Sequence, residues 1–275
     1  MIKNGMAVLS FALAATSAGL ATLAHAEDYP SPTDDRVRLS LGVMHLSSTT
    51  DLLLDSSQGL PGTPINAESD LGLDKSDFEP KFQAMVRVGE RHRLRFDYFT
   101  LDRTGQTTIS GPPIVFRDVV LPTGYPVQTD LNLRTLGISY EYSFLHSEKF
   151  EVAATVGIND TDISTRARIS TQTLHVDQRE DQAGPFPTLG LDATYVVSQR
   201  FYLDGRAQYF KIAIDHLDGS LGFYELDALY RFRPNVSFAL GYMAAKATLD
   251  SRKPSNSGYF DFDSKGPEFF VRVAF

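Results

Sequence analysis

Few side chains in this sequence have the types and spacing that catalysis requires. Asp215, His216 and Asp218 lie close together in the chain, and Asp102 is a further acidic candidate. A carboxylate that orients an imidazole can make it a general base for attack by water. Adjacent residues of a strand point to opposite faces, so Asp215 and His216 would not face one substrate. These residues therefore give only a weak indication of a hydrolase.

A second candidate is His45-Leu46-Ser47, in which His45 and Ser47 fall on the same face of a strand. A histidine beside a serine can activate it as a nucleophile, but no acidic partner is evident in the sequence. A histidine at a membrane interface beside a loop explains the same residues. The chain has no Cys, which excludes thiolate catalysis and Cys-ligated metals.

Acidic residues that could bind Ca²⁺ occur in residues 48–77 and in Asp261-Phe262-Asp263, but they lack the ligand spacing of a dedicated calcium loop. The sequence has no phosphate-binding glycine loop, histidine cluster or nucleophile elbow. It therefore predicts no catalytic residue, no metal site and no cofactor.

The N-terminus predicts export. Lys3 precedes an apolar run over residues 6–23, and Ala24-His25-Ala26 provides a small-residue cleavage site. We therefore expect a signal peptide over residues 1–26, cleaved after Ala26, and a single mature domain over residues 27–275. The formal net charge of −8 argues against nucleic acid as a partner.

Most of the remaining chain alternates apolar and polar residues with the period of a β-strand. In residues 36–47, Val37, Leu39 and Leu41 alternate with Arg38 and Ser40. The sequence holds about ten such runs, each long enough for a tilted strand to cross a bilayer. Beyond the signal segment, no run reaches the ~20 apolar residues of a membrane helix. The predicted fold class is therefore all-β, a transmembrane antiparallel up-and-down β-barrel of ten strands, with eight or twelve as alternatives.

Short turns and long loops alternate along the chain, which is typical of barrels with periplasmic turns and extracellular loops. Segments rich in Pro, Gly and charge predict long loops at residues 48–77, 105–129, 164–184 and 249–264. Beyond Tyr209 the two faces of the run are no longer distinct, which predicts a bulge or an exit from the membrane there.

The face opposite the apolar one carries charges of both signs. In a narrow ten-stranded barrel these side chains would fill the lumen, so we predict a salt-bridged plug. The predicted lumen charge network comprises Arg38, Lys81, Arg87, Arg95, Asp97, Glu141, Glu151, Asp192, Asp204, Arg206, Glu225, Asp227, Arg231, Glu268 and Arg272. Aromatic residues at strand ends predict a girdle at the periplasmic interface. They are Phe144, Phe150, Phe201, Tyr202, Phe232 and Phe275. A soluble barrel of the lipocalin kind and a periplasmic β-sandwich remain open as alternatives.

The last strand has one apolar and one charged face. Phe269, Val271, Val273 and Phe275 alternate with polar positions such as Arg272. This strand resembles the closing strand of bacterial outer-membrane β-barrels, which their insertion machinery reads. The resemblance implies that the four apolar residues are the barrel-insertion signal and that the barrel-assembly machinery is a partner.

Taken with the signal peptide and the strand pattern, the chain resembles small outer-membrane barrels of the OmpA-like and OmpW-like kind. That resemblance implies the outer membrane of a Gram-negative bacterium, contact with lipid and lipopolysaccharide, and a monomer. OmpA-like barrels have plugged, charged lumens. The resemblance therefore implies a non-enzymatic protein that acts through membrane integrity or surface-loop interactions. A narrow porin-like channel for small solutes is the alternative.

The chain also resembles the omptin proteases in strand number and the outer-membrane lipid A deacylases in its His-x-Ser. Omptins use acidic residues with a His near the extracellular rim, but Asp215 and His216 do not match their Asp-x-His spacing. The deacylase motif lies late in those chains, whereas His45 ends the first predicted strand. An omptin-like protease or a lipid A deacylase is therefore a lesser expectation than a non-enzymatic barrel.

Overall fold

Ten long strands make up most of the structure. The computed structural model describes residues 29–56, 61–116, 118–170, 175–253 and 256–275, and the predicted signal peptide at residues 1–26 lies outside the described residues. The strands are numbered β1 to β10 in chain order. They are β1 Val37–Leu54, β2 Ser76–Val88, β3 His92–Thr108, β4 Pro126–His146, β5 Phe150–Ser170, β6 His175–Ser198, β7 Phe201–Ile214, β8 Leu217–Arg233, β9 Val236–Lys253 and β10 Asn256–Ala274.

The strands form one closed antiparallel barrel. Each pairs with its neighbours in the chain, and β10 returns to pair with β1, from Arg38 opposite Ala274 to Leu54 opposite Gly258. Closure pairs the backbone groups of the first and last strands, which a sheet inside a membrane requires. The predicted fold class, an antiparallel up-and-down barrel with ten strands, is therefore confirmed.

The side chains of the barrel are distributed in the opposite sense to those of a soluble barrel. On β1, Leu39, Leu41 and Val43 are exposed, whereas Arg38 and Ser40 are buried. A barrel in water would place its polar residues outside and its apolar residues inside. The inverted pattern excludes the lipocalin alternative, and the single closed wall excludes the β-sandwich.

The exposed apolar side chains form a belt around the barrel. They include Leu39, Leu41, Val43, Phe82, Val86, Leu94, Phe96, Leu136, Ile138, Val156, Ile158, Leu189, Leu191, Leu226, Leu240 and Phe269. Towards the ends of the strands away from the short turns, outward positions become polar, as at Arg134, Asp160 and Lys211. An apolar band bordered by polar residues is the surface that a transmembrane barrel presents to lipid. The end with the short turns is called the periplasmic end below, and the opposite end the outer end.

Aromatic side chains border the belt at the periplasmic end. Phe144, Phe150, Phe201, Phe232 and Phe275 are all exposed there. Tyr202, which the sequence analysis assigns to the same girdle, is buried inside the barrel with Arg231 over its ring. That prediction was wrong because Phe201 and Tyr202 are neighbours on one strand and point to opposite faces.

Two of the four predicted loops are mostly strand. β5 and β6 stay paired through residues 164–184, and β9 and β10 stay paired through residues 249–264, apart from 171–174 and 254–255, which lie outside the described residues. β5 has 21 residues and β6 has 24, about twice the 9–11 that span a bilayer. The loop predictions were wrong because the alternation reverses its sense above the membrane: outward residues such as Asp261 are polar, whereas Ile169 and Phe262 are buried on the inner face.

The strands also extend into the other two predicted loops, and the rest of those loops forms a small cap. Residues 61–75 contain a short strand, Ile65–Asn66, and a one-turn helix, Ala67–Asp70. A hairpin of Ile114–Phe116 and Val119–Leu121 stands in the second loop. A cluster of buried residues joins the two loops to the wall: Ile65, Leu71, Ile109, Ile114, Leu121, Val127 and Ile169. None of the described helices is long and apolar enough to cross a membrane.

The predicted bulge beyond Tyr209 is absent from the described pairing of β7 with β8, which runs without a shift from Phe201 to Ile214. The alternative prediction, an exit from the membrane, agrees with the exposed Lys211 that follows Tyr209 on the outer face. The two faces are no longer distinct here because Phe210 and Ile212 line an apolar part of the lumen. β7 loses its other neighbour there, because its pairing with β6 ends at Tyr209 opposite Leu189.

We predict that cysteines at Leu41 and Val271, which face each other across β1 and β10, form an intramolecular disulfide in the folded barrel. Opposed residues of antiparallel strands have Cα separations that suit a disulfide. The chain has no Cys of its own to compete. The crosslink is read as a mobility shift on a non-reducing gel.

The matched control pairs Leu41→Cys with Leu226→Cys, because β1 and β8 are not neighbours. This pair should remain unlinked. A folded protein in which neither pair crosslinks would contradict barrel closure.

Candidate functional site in the barrel lumen

Charged side chains fill the periplasmic half of the lumen. At the centre, the guanidinium group of Arg93 lies 2.9 Å from Glu141, 3.0 Å from Glu151 and 2.7 Å from Asp192. These residues stand on β3, β4, β5 and β6, so one fully buried side chain joins four neighbouring strands. Each buried carboxylate thereby gains a cation, as burial of charge requires.

Two further arginines complete this central cluster. Arg87 makes a bidentate pair with Glu151 at 2.8 and 2.9 Å. Arg95 contacts Glu141 at 2.7 Å and Asp192 at 2.9 Å. A guanidinium group suits this arrangement because its planar fork can bind two carboxylates at once. Arginines and carboxylates therefore alternate across the lumen.

A second cluster surrounds Lys81 on β2. Its Nζ lies 3.0 Å from Glu225 on β8 and 2.5 Å from Glu268 on β10, and 5.5 Å from the centre of the Phe270 ring. Gln83 also donates a hydrogen bond to Glu225 at 3.3 Å. Since β2 and β8 are not adjacent, the pair of Lys81 and Glu225 crosses the lumen instead of running along the wall.

Two other ion pairs also join strands that are not neighbours. Arg206 on β7 lies 2.9 Å from Asp97 on β3. Arg272 on β10 pairs with Asp204 on β7 and also donates to Ser40 at 3.1 Å. Contacts of this kind hold opposite walls together and occupy the space that a pore would need.

The segment that precedes β1 closes the periplasmic end. Asp35 lies 3.2 Å from Arg38 and 3.6 Å from Arg231. Arg38 also donates a hydrogen bond to the carbonyl oxygen of Pro32, and Arg231 donates to that of Pro30. Burial raises the pKa of Asp35, and the neighbouring guanidinium groups of Arg38 and Arg231 oppose that rise. Arg38 and Arg231 therefore hold the segment that precedes β1 across the periplasmic opening of the lumen.

The structure places the predicted lumen residues on the inner face of the wall. Of the predicted residues, Asp227 is the one that forms none of the ion pairs described above. In the described part of the chain no cation lies within ion-pair distance of it, and it interacts with Glu268. Arg93 and Asp35 are not among the lumen residues predicted from the sequence. Arg93 lies two residues before Arg95 on β3, so the alternation of the strand also predicts that Arg93 points inward. Asp35 precedes the first alternating run, so no pattern in the sequence predicts its position.

Above the charges, the inner face becomes apolar. Met44, Leu46, Leu101, Met243, Ala245 and Phe262 form a buried cluster, against which Phe99, Leu133, Phe223, Ala247 and Phe260 pack. On β3, Phe99 and Leu101 continue the inward phase of Arg93 and Arg95. This layer is absent from the sequence-based prediction, in which the face opposite the lipid is uniformly polar. The lumen is therefore filled in two layers, charged below and apolar above.

A buried polar group fastens the first loop inside the outer end. Arg103 on β3 donates hydrogen bonds to Glu68 at 2.6 Å, to Thr50 at 3.0 Å and to the carbonyl oxygen of Asp74 at 2.7 Å. Glu68 also accepts the backbone N–H of Thr50 at 2.9 Å. Arg103 is 1 % exposed. The loop is therefore held over β1 and β3 by a charge pair that water does not screen.

Two small cavities interrupt this packing. One of about 60 Å³ lies between the layers, with Lys81, Asp97 and Arg206 among its lining residues. The other, of about 120 Å³, lies within the apolar layer, with Phe186 and Phe210 in its lining. The cavity between the layers has room for a few water molecules, which would satisfy buried groups such as Asp97 Oδ1 and Arg206 Nε.

The candidate catalytic residues do not assemble into a site. Asp215 and His216 form the turn between β7 and β8, Asp218 follows them, and Asp102 lies four strands away on β3. Among the residues that the structure describes, no hydrogen bond or ion pair joins Asp102 to this turn. Asp102 instead donates its backbone N–H to Glu79 at 2.8 Å. The geometry brings no catalytic pair together here.

His45 and Ser47 both point outward from β1. The ring of His45 packs against that of Phe78, with centroids 4.5 Å apart and the ring planes tilted by 34°. Asp261 also points outward, whereas its neighbour Phe262 is buried in the lumen. Within the described ranges, no group of three or more His, Asp or Glu side chains could hold a metal ion.

The residues of the predicted insertion signal lie on the outer face at the end of the chain. Phe269, Val271 and Val273 point outward on β10, and Phe269 stacks on Phe238 of β9 with centroids 6.4 Å apart. Phe275 follows the strand and is exposed. Their role as an insertion signal stays a prediction.

Comparison with known proteins bears on the fold. No protein-family model and no curated protein matches the chain. The outer membrane protease OmpT from Escherichia coli superimposes with a TM-score of 0.56 and 11% identity, over 90% of this chain and 99% of OmpT. The fold is that of a small outer-membrane β-barrel protein.

Other similar structures superimpose less closely. The transport unit of the autotransporter AIDA-I from Escherichia coli gives a TM-score of 0.42 with 8% identity, over 93% of each chain. A FadL homologue from Pseudomonas aeruginosa gives 0.38 with 9% identity, over 88% of this chain and 90% of its own. At 11% identity, the likeness to OmpT concerns the barrel fold and not its activity.

We predict that Arg93→Met strongly destabilises this outer-membrane barrel. The change leaves the carboxylates of Glu141, Glu151 and Asp192 with one cation fewer in a buried site, and breaking such a network costs about 3–5 kcal/mol. The free energy of unfolding is measured by urea titration of the protein refolded in lipid vesicles.

The matched control is Arg134→Met, which removes an equally close ion pair, 2.6 Å from Asp162, on the exposed outer surface. Water already solvates this pair, so little stability should be lost. Equal losses for the two variants would contradict the claim that the lumen network is buried and mutually neutralising.

Proposed function

We propose that the protein is a non-enzymatic outer-membrane barrel with a closed lumen, which acts at the membrane surface and does not conduct solutes. The observation that carries the proposal is the set of ion pairs that cross the lumen, such as Lys81 with Glu225 and Arg206 with Asp97. A conducting barrel needs a continuous water-filled path between its two ends. These pairs occupy that path in the periplasmic half.

Two further features support closure. The segment containing Pro30, Pro32 and Asp35 lies across the periplasmic mouth and is fastened there by Arg38 and Arg231. The apolar layer fills much of the outer half of the lumen, and an apolar constriction resists the passage of ions even where it is not fully packed. A solute would have to disrupt three separate obstructions.

The outer surface supports a role in contacts with lipid and lipopolysaccharide. Lys211, Lys246 and Lys265 are exposed on β7, β9 and β10 just above the apolar belt. Ammonium groups at this height suit the phosphate groups of the outer leaflet. The long hairpin of β5 and β6 carries further exposed charges, including the pair of Arg166 and Asp177, well above the belt. These surfaces are where we expect the protein to meet its partners, as a monomer that the barrel-assembly machinery inserts through the C-terminal strand.

The absence of an enzyme activity is part of the proposal. Its support is that His216 and Asp102 lie on different parts of the barrel, and that the outward-facing pair of His45 and Ser47 has an aromatic neighbour, Phe78, rather than a carboxylate. A histidine needs an orienting partner and a placed nucleophile to act as a general base. Neither is assembled at these positions.

We predict that the refolded mature chain gives no single-channel steps in planar bilayers. Folding is established on the same sample by heat-modifiability on a gel, and a general porin in the same bilayers shows that openings can be detected. The expected result is a folded and silent barrel, because the lumen charges are paired with each other and are not available to line a pore.

Stable single-channel steps from the folded protein would contradict the closed lumen. They would favour the narrow porin-like channel, whose selectivity would then be sought in Arg95, Arg206 and Arg231.

A further inference from the structure

The barrel wall is incomplete on one side of the outer half. β6 pairs with β5 through residues 175–195, from Ser170 opposite His175 to Phe150 opposite Tyr195. Its pairing with β7 covers only the lower part and ends at Leu189 opposite Tyr209. Among the described residues, no backbone ladder joins β6 at 175–188 to β7 at 210–214. The two strands therefore separate and leave a gap in the wall.

The sequence explains why the ladder ends there. Val196 on β6 donates its backbone N–H towards β5, to Lys149. Because N–H groups alternate in direction along a strand, the odd-numbered residues of β6 direct theirs towards β7. Pro185 and Pro187 occupy two of those positions and have no N–H to give. Proline confined to an edge is the usual device for ending strand pairing.

The apolar cavity lies directly behind this gap. Phe186 points inward from one edge and Phe210 and Ile212 line the cavity from the other. Phe223 on β8, which pairs with β7, and Phe260 on β10 also line this cavity. Its volume is about 120 Å³. For comparison, an apolar cavity of about 150 Å³ stays dry and binds benzene. The space therefore suits a hydrocarbon segment of similar size and offers almost nothing to a polar ligand.

The height of the gap points to the membrane as the source of that hydrocarbon. Leu189 and Tyr209, the last paired residues, are exposed at the upper border of the apolar belt. Lys211 follows Tyr209 on the outer face at the edge of the gap and has no ion-pair partner in the described part of the chain. An ammonium group beside an opening at this level can hold a lipid phosphate while the chain of the same lipid passes inward.

We propose that the gap between β6 and β7 admits one acyl chain of an outer-leaflet lipid, whose end occupies the apolar cavity inside the barrel. The site adds a specific lipid ligand to the proposed surface function. It does not depend on whether the lumen conducts, because the cavity lies above the charged layer.

The test uses the absence of Trp from this chain. Phe210→Trp and, separately, Phe260→Trp place a single fluorophore at the cavity. Each variant is refolded into vesicles of phosphatidylcholine brominated on its acyl chains, which quenches Trp at short range, and into unbrominated vesicles. Heat-modifiability confirms that each barrel has folded. Both variants should lose emission in the brominated vesicles.

The matched control is Phe270→Trp, an equally inward position that is buried behind the intact wall of β9, β10 and β1. It should lose much less emission, whereas Phe238→Trp on the lipid face should be quenched fully. Replacing Pro185 and Pro187 by Val in the Phe210→Trp protein restores two N–H donors towards β7. This change should extend the ladder and reduce the quenching.

Two results would overturn the proposal. One is that the cavity reporters are quenched no more than Phe270→Trp, which would mean that lipid chains stay outside. The other is quenching by a soluble bromoalkane in unbrominated vesicles but not by the brominated lipid, which would assign the cavity to a free apolar molecule.

Discussion

The charges inside this barrel can be buried only because they neutralise one another. Moving an isolated carboxylate or guanidinium group out of water costs far more than a protein's whole stability margin, so each inward charge needs a partner within reach. The barrel is narrow enough to supply one: Arg93 reaches three carboxylates, and Lys81 reaches across the lumen to Glu225. Strand number, lumen width and the position of the N-terminal segment over Arg38 and Arg231 all depend on this constraint. A wider barrel would separate the partners and admit water.

Above the charged layer, apart from the buried ion pair of Arg103 and Glu68, the inward side chains are mostly apolar. Inward residues such as Phe99 and Phe262 fill the lumen without partners, since apolar side chains need only contact. The wall can then open, because an apolar interior loses little by facing lipid. Pro185 and Pro187 stand where the β6 ladder would otherwise continue, and the gap they border leads from the apolar belt to an apolar cavity. Charge pairing closes the lower barrel, and proline placement opens the upper wall.

The sequence predicted the parts of this architecture that lipid imposes. Alternation in segments such as Val37 to Val43 predicted the strands, because the face towards lipid is apolar and the face towards the lumen carries polar residues. The same reasoning identified Arg95 and Glu141 as inward, but not their partners, since pairing across a lumen depends on register between distant strands. It failed at residues 164–184, where the lipid-facing side of the strand pattern is lost and apolar residues such as Ile169 are buried inside instead, and at Tyr202, whose neighbour Phe201 takes the outward position. The cap fastened by Arg103 and Glu68 depends on loop conformation, which has no periodic signal.

The most direct test of a lumen sealed by its own side chains is thiol accessibility at Ser139. This residue is 2 % exposed at the centre of the lumen, beside Arg206 and Gln208, and Ser→Cys barely changes its size. The account predicts that a small charged maleimide leaves Ser139→Cys unlabelled in the folded barrel, labels it after unfolding in urea, and labels Ser147→Cys in the exposed periplasmic turn at once. Labelling of folded Ser139→Cys as fast as Ser147→Cys would mean that water and solutes pass through the lumen, and would contradict the account.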